Sequence, residues 1–120
     1  MVLIVDDDNA FRKQFRMLFD RNSGFDACVE AGNGLEAIDK TKRLLPNLAV
    51  LDFSLPDIGG LQLAQKLKAI TPELLTFLLT RDYSVNIEKS ALSCGITAVF
   101  SKLDDLAPLV ANARAVCGIE

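Results

Sequence analysis

The 120-residue sequence predicts an open α/β fold, a parallel sheet with helices on both faces. Five short apolar runs, rich in leucine or β-branched residues, alternate with segments whose apolar residues repeat at helical spacing. Strict alternation of strand and helix produces parallel strands joined by crossover helices. No linker, repeat or low-complexity segment interrupts the pattern. We therefore interpret residues 1–120 as one domain.

The first two strands and the helix between them are indicated by their apolar patterns and by capping residues. VLIVD (2–6) shows no polar alternation, which is typical of a strand buried on both faces. Asp8 or Asn9 can cap the following helix, and NSG (22–24) would end it. FDACVEA (25–31) alternates, as expected of a strand nearer the sheet edge.

The second helix and the third strand follow a GNG turn. Leu35, Ile38 and Leu45 mark the helix at helical spacing, and Pro46 would close it. LAVLD (48–52) is again continuously apolar and again ends in an acid. This run predicts a third strand buried on both faces.

The second half of the chain repeats the alternation. Leu61 and Lys68 begin and end a third amphipathic helix, and LLTFLLT (74–80) is the fourth strand. A weaker helix at about 84–94 ends at Cys94-Gly95, and TAVFSK (97–102) is the fifth strand. In the last helix, Asp104 or Asp105 would provide the cap and Pro108 would stand in the first turn. The residues expected to face inward from it are Leu106, Leu109, Val110, Ala113 and Val116.

Composition excludes several classes of function. The net charge of −3 and pI of about 4.9 argue against nucleic-acid binding through this domain, which needs clustered Lys and Arg. The absence of histidine and of paired cysteines argues against zinc. Three scattered cysteines, an N-terminal apolar run too short for a signal peptide and no apolar run of transmembrane length predict a cytoplasmic, non-membrane protein.

Polar residues follow four of the five predicted strands. Asp6 and Asp7 follow the first, Asp52 ends the third, Thr80 ends the fourth and Lys102 ends the fifth. Singly, each can be interpreted as a strand-end cap. Ligands of open α/β sheets, however, bind beyond the carboxyl ends of the strands, where the strand order reverses. If strands one and three are adjacent, three carboxylates converge on one crevice.

Carboxylates without histidine or thiolate form an all-oxygen site suited to Mg²⁺. A carboxylate can also act as a nucleophile and form an aspartyl phosphate. In such a site Lys102 would supply positive charge to a phosphoryl oxygen and Thr80 a hydroxyl donor. The set therefore indicates phosphoryl transfer.

The motifs together resemble the receiver domain of two-component response regulators over essentially the full length of the chain. The matching motifs are VDD after strand one, LDFSLPDIGG (51–60), LLT ending in Thr80 and GITAVFSK ending in Lys102. The resemblance implies a flavodoxin-like (βα)5 fold, doubly wound, with a five-stranded parallel sheet of strand order 2-1-3-4-5. An output domain beyond residue 120 would be compatible with it.

The resemblance also implies roles for individual residues. Asp52 would accept a phosphoryl group from the phosphohistidine of a sensor histidine kinase or a histidine phosphotransfer protein. Asp7, Asp52 and the backbone carbonyl of Ser54 would bind Mg²⁺, with Asp6 helping through water. The domain would catalyse its own phosphorylation and dephosphorylation without turning over an independent substrate.

The implied switch begins at the phosphoacceptor and ends at a surface. Thr80 would move toward the phosphoryl group, and the face formed by the fourth helix, fifth strand and fifth helix would repack. The same face is a candidate homodimer surface. Pro56, Asp57, Gly59 and Gly60 would shape the loop after the phosphoacceptor.

Three positions depart from the family pattern and leave alternatives open. Val99 stands where the family has an aromatic switch residue, and Phe100 should point to the opposite face. Arg81 replaces a small residue, and Leu103 replaces a proline. Arg81 would screen the phosphoryl group from water or hinder its donor. These departures favour a receiver-like interaction module that works without phosphorylation. The complete set of Asp6, Asp7, Asp52, Thr80 and Lys102 argues against that alternative.

Two other classes fit the residues less well. A flavin- or nucleotide-binding protein of this fold would need a glycine- or hydroxyl-rich phosphate loop after strand one, where three acids stand instead. A phosphatase with Asp6 and Asp8 as its catalytic pair would need Gly-Thr or Gly-Val after the second acid, where Asn9-Ala10 stands. The chain also has no room for a cap domain.

Overall fold

The computed structural model describes residues 1–21 and 24–119, and these form five strands and five helices in alternation. The strands are β1 (Val2–Val5), β2 (Cys28–Ala31), β3 (Leu48–Asp52), β4 (Leu75–Thr80) and β5 (Ala98–Ser101). The helices are α1 (Asn9–Arg21), α2 (Gly34–Leu44), α3 (Gly60–Ile70), α4 (Val85–Ser93) and α5 (Ala107–Val116). Within the described residues, no helix is long and apolar enough to cross a membrane.

The sheet is parallel throughout and has the order β2-β1-β3-β4-β5. This confirms the predicted flavodoxin-like (βα)5 fold and its strand order. β2 lies at an edge, as its alternating sequence predicts, whereas β1 and β3 are central and buried along their whole length. Val5 pairs with Leu51, so the residues that follow, Asp6 and Asp52, leave the sheet side by side.

Alternate strand residues build two cores, one on each face of the sheet. Leu3, Leu51 and Leu78 belong to the core covered by α2, α3 and α4. Ile4 and Val50 belong to the core covered by α1 and α5. Both faces are apolar because the sheet has helices on both sides, which is why β1 and β3 read as unbroken apolar runs.

α1 begins where the sequence predicts. The Asp8 carboxylate accepts a hydrogen bond from the Phe11 amide (3.1 Å), so Asp8 caps the helix. Phe15 and Phe19 are its buried residues, in edge-to-face contact at a ring-centroid distance of 5.2 Å. The predicted stop at NSG (22–24) falls mainly on residues 22 and 23, which lie outside the described residues.

α2 buries a different set of residues from the one that marks it in the sequence. Leu35 and Leu45 are 74 % and 58 % exposed, so these two leucines are not core residues. The buried positions are Ala37 and Thr41, with Ile38 partly buried against the same core. Leu35 lies two residues before Ala37 and so projects from the opposite side of the helix, and Leu45 is the C-cap residue just beyond the helix end.

In the last two helices, the predicted end of α4 is confirmed, and the predicted N-cap of α5 and the predicted burial of Val116 are wrong. α4 ends at Ser93 with Cys94 as its C-cap residue, and Gly95 follows with φ +91°, a left-handed value that favours glycine. The N-cap position of α5 is Leu106, not an aspartate, although the Asp105 carboxylate accepts a hydrogen bond from the Ala107 amide (3.0 Å). Val116, at the last turn, is 37 % exposed and does not face the core.

Candidate functional site

Three carboxylates gather where β1 and β3 end. Asp6 and Asp52 are 1 % and 6 % exposed, whereas Asp7 is exposed to solvent. One carboxylate oxygen from each lies within 4.8 Å of the others. The adjacency of two parallel strands produces this cluster, because the carboxyl ends of such strands leave the sheet at the same edge.

The ammonium group of Lys102 lies against two of these carboxylates. Its Nζ is 2.7 Å from Asp6 Oδ2 and 3.4 Å from Asp52 Oδ2, and the lysine side chain is only 4 % exposed. Asp6 Oδ2 is buried and makes no hydrogen bond of ordinary geometry, although the ammonium stands so near it. Asp6 Oδ2 is therefore held by the charge of Lys102, and such a contact is stronger where little water screens it.

The surroundings of the Asp52 carboxylate favour its neutral form more than water does. Burial raises the pKa of Asp52 above its ordinary value, and the neighbouring Asp6 charge raises it further. Lys102 and the Ser54 amide, which donates to Asp52 Oδ1 at 3.3 Å, act in the opposite direction. A cation at this position would therefore relieve an existing electrostatic cost.

Thr80, Arg81 and Leu103 lie at or just after the carboxyl ends of β4 and β5. Thr80 is 2 % exposed and its hydroxyl accepts a hydrogen bond from the Asp82 amide (3.1 Å). Arg81 is exposed, with one guanidinium nitrogen 3.9 Å from Asp8 Oδ2. Leu103 is 74 % exposed.

Val99 and Phe100 point to opposite faces of the sheet, as strand alternation predicts. Val99 is 9 % exposed and belongs to the core under α4, whereas Phe100 contacts Phe77 (ring centroids 5.2 Å) in the core under α1 and α5. Phe100 therefore does not take the place of the missing aromatic residue.

The loop after Asp52 is fixed by one glycine. A Cβ on Gly60 would lie 2.4 Å from the Asp52 backbone carbonyl and 2.9 Å from the Phe53 Cα. Glycine is required there because both obstacles are backbone atoms. Ser54 forms an isolated antiparallel bridge with Gly59, and Pro56, between them in sequence, is exposed.

The same loop is tied to α2 by Asp57. Its carboxylate accepts hydrogen bonds from the amides of Gly34 (2.9 Å) and Leu35 (3.0 Å), and these bonds lower the pKa of Asp57 below its ordinary value. A Cβ on Gly34 would lie 2.2 Å from the Ile58 side chain, so the loop and the helix approach closely.

The sequence analysis missed a set of charges that holds Asp6 in place. Arg12 donates to the Asp6 backbone carbonyl (2.6 Å) and to the Glu30 carboxylate (2.9 Å), and Arg16 donates to the other Glu30 oxygen (2.9 Å). Although burial raises the pKa of Glu30, these hydrogen bonds hold it below its ordinary value. Two arginines four residues apart on α1, opposite an acid in an otherwise apolar strand, were the available signal.

The donor set fits a magnesium ion. It consists of carboxylate oxygens only, two of the three carboxylates are buried, and hard divalent cations prefer such ligands. Asp6, Asp7 and Asp52 are the residues brought together.

Comparison with known proteins agrees with this geometry. The family model described as response regulator receiver domain matches residues 2–114. A putative transcriptional regulator of Pseudomonas aeruginosa is 37 % identical over 115 residues, 96 % of this chain and 55 % of the relative. The relative named virulence factors putative positive transcription regulator BvgA, of Bordetella pertussis, is 29 % identical over 96 % of this chain and 54 % of its own length. The chain thus spans about half the length of these relatives.

Solved structures show the same fold. The response regulator receiver domain protein (CheY-like) of Methanospirillum hungatei superposes with a TM-score of 0.88 at 24 % identity. The superposition covers 98 % of this chain and 92 % of that one.

Proposed function

The chain belongs to the response regulator receiver family, and on that premise we propose that it is a phosphoacceptor switch of a two-component system. In this proposal Asp52 takes a phosphoryl group from the phosphohistidine of a sensor histidine kinase or a histidine phosphotransfer protein. The observation that carries it is the Lys102 ammonium lying against the buried Asp6 and Asp52 carboxylates, 2.7 and 3.4 Å away.

The reaction needs positioning and charge more than acid–base chemistry. A carboxylate oxygen of Asp52 forms a bond to phosphorus while the bond between phosphorus and the donor's imidazole nitrogen breaks, and the imidazole keeps that electron pair. Lys102 balances the negative charge of the phosphoryl oxygens, and the Thr80 hydroxyl can donate to one of them. The burial that raises the pKa of Asp52 also excludes water from the nucleophile.

Mg²⁺ would be held by Asp7, Asp52 and the Ser54 backbone carbonyl, with Asp6 acting through water. When bound, the ion neutralises charge on the carboxylates and on the incoming phosphoryl oxygens. Asp6 is suited to an indirect role because its Oδ2 is already paired with the Lys102 ammonium, 2.7 Å away.

The signal would leave through the face formed by α4, β5 and α5, which is also a candidate homodimer surface. Thr80 would move toward the phosphoryl group and Val99 would follow it, as a small aliphatic side chain in place of an aromatic one. Because Val99 is packed in the core under α4, its movement would displace that helix. The same packing favours the second candidate, an interaction module that works without phosphorylation.

The wider role is inferred from the relatives. Residues 1–120 would be the receiver domain of a cytoplasmic regulator whose output lies in another domain. The two relatives described above are named as transcription regulators, so DNA binding, where present, would belong to that other domain. The receiver would have no independent substrate turnover.

Intact-mass spectrometry tests the proposal. We expect one phosphate adduct on the wild type after incubation with Mg²⁺ and a small acyl phosphate, and none on Asp52→Asn. Asp39→Asn, which removes an exposed acid from α2, should behave as the wild type. If no adduct forms with an acyl phosphate or with a phosphorylated histidine donor, the interaction module becomes the better account.

A further inference from the structure

We propose that Phe11 is a positioning residue for Lys102, a role that rests on the proposed phosphoryl transfer to Asp52. The Lys102 ammonium lies over the Phe11 ring, 4.4 Å from its centroid. Phe11 stands in the first turn of α1, next to the acidic cluster in space. The face of an aromatic ring is electron-rich, so an ammonium at this distance is attracted to it.

The contact lies where such an attraction is strongest. The lysine side chain is 4 % exposed, so little water competes for the ammonium. Cation–π attraction grows when the cation is desolvated. The ring and the carboxylates of Asp6 and Asp52 contact the same ammonium.

The ring has a property that the carboxylates lack. A divalent cation shared by Asp6, Asp7 and Asp52 would compete for the same carboxylate charge and repel the ammonium. An aromatic face offers no ligand to a hard cation, so its attraction for Lys102 persists. Phe11 would therefore keep the Lys102 ammonium beside Asp52 when the carboxylates bind a divalent cation.

The ring is itself held in place. Phe11 is stacked on Phe15, with ring centroids 5.9 Å apart and planes 10° from parallel, and Phe15 is 1 % exposed. The Phe11 amide donates to the Asp8 carboxylate at the helix start (3.1 Å). A ring fixed by packing and by its backbone can position a flexible lysine without ordering itself first.

Graded fluorination of Phe11 separates the electronic contribution of the ring from its packing, because fluorine withdraws charge from the face with little change in size. We expect the rate of phosphorylation by an acyl phosphate at saturating Mg²⁺ to fall stepwise through mono-, di- and trifluorophenylalanine. Phe11→Leu should be about tenfold slower than the wild type, equivalent to about 1.4 kcal/mol. Trifluorophenylalanine at Phe25, which contacts Phe19 just before β2 and does not touch the Phe11 ring, is the matched control and should leave the rate unchanged.

A second measurement does not depend on phosphorylation. The Lys102 Cε protons should show an upfield ring-current shift in NMR spectra, with and without Mg²⁺, and lose it in Phe11→Leu. Equal rates across the fluorine series in a phosphorylated protein would overturn the role of Phe11 and leave the proposed function standing. If the wild type is not phosphorylated, the proposed function fails. Absence of the ring-current shift in the Mg²⁺-bound wild type would then overturn the role of Phe11 independently.

Discussion

Replacing Asp52 with asparagine should stabilise the protein in the absence of Mg²⁺ and destabilise it relative to the wild type when Mg²⁺ is present. At an effective dielectric constant of about 20, the Asp6 and Asp52 oxygens, no more than 4.8 Å apart, repel by at least about 3.5 kcal/mol. Lys102, 3.4 Å from Asp52, attracts it by about 5 kcal/mol. These contributions come close to cancelling, so desolvation of the buried carboxylate decides the sign.

Desolvation is the largest influence on Asp52 and it raises the pKa of this group. Removing the charge should therefore raise the free energy of unfolding by about 1–2 kcal/mol in EDTA. For a chain of 120 residues this corresponds to a Tm about 4–8 °C higher. Mg²⁺ at a hundred times its Kd should stabilise the wild type by about 2.7 kcal/mol and the variant by less.

The pH dependence of stability independently checks whether Asp52→Asn stabilises the protein. Because the pKa of Asp52 is raised on folding, the folded state binds this proton more tightly than the unfolded state. The wild type therefore loses stability as pH rises from the ordinary Asp pKa through the raised one, and the advantage of Asp52→Asn should vanish below about pH 4.

Differential scanning calorimetry of both proteins in EDTA and in Mg²⁺, from pH 4 to 8, measures all of these differences. A lower Tm for Asp52→Asn in EDTA at neutral pH would refute the reasoning. So would an equal Mg²⁺ effect on both proteins.

Three further substitutions test the framework of the site. In urea unfolding, Gly60→Ala should lower the free energy of unfolding by about 3 kcal/mol, because the new Cβ meets backbone atoms. In the control, Gly59→Ala, the new Cβ meets only the flexible Gln62 side chain. Equal losses of stability in the two variants would contradict this. Arg12→Ala should lower the free energy of unfolding by about 1–3 kcal/mol, because the Arg12 side chain is only 15 % exposed. The control Arg43→Ala should lower it by less than about 0.5 kcal/mol, because the Arg43 side chain is 61 % exposed. Asp57→Ala should weaken Mg²⁺ binding in calorimetric titration through the displaced loop, and an unchanged Mg²⁺ affinity would show that the loop is held by other contacts.

The fold was predictable because its elements are encoded locally. Unbroken apolar runs ending in polar residues are the pattern of buried parallel strands, and β1 and β3 have that pattern over their full length. The convergence of Asp6, Asp7 and Asp52 followed from the placement of strand ends at one edge of the sheet. Residue roles within the cluster came from the family resemblance, and remain proposals.

What the sequence did not predict depends on tertiary contacts. Leu35 and Leu45 have the spacing of a helix core, but the buried side of α2 carries Ala37 and Thr41. Leu35 projects from the opposite side, and Leu45 is the C-cap residue beyond the helix end. The bonds from Arg12 to Asp6 and Glu30 join residues 6 and 18 positions apart, which no local pattern specifies. The contact of Phe11 with Lys102 joins α1 to the end of β5, and these two elements are far apart in the sequence.

The central claim is that the Asp52 carboxylate itself accepts the phosphoryl group, and chemical trapping of the acyl phosphate tests this most directly. Borohydride reduces an aspartyl phosphate to homoserine, and peptide mass spectrometry then locates the modified residue. After Mg²⁺-dependent phosphorylation we predict homoserine at position 52 and at no other aspartate. Reduction at Asp6, Asp7 or Asp57, or no reduction in a protein that carries a phosphate adduct, would contradict the account.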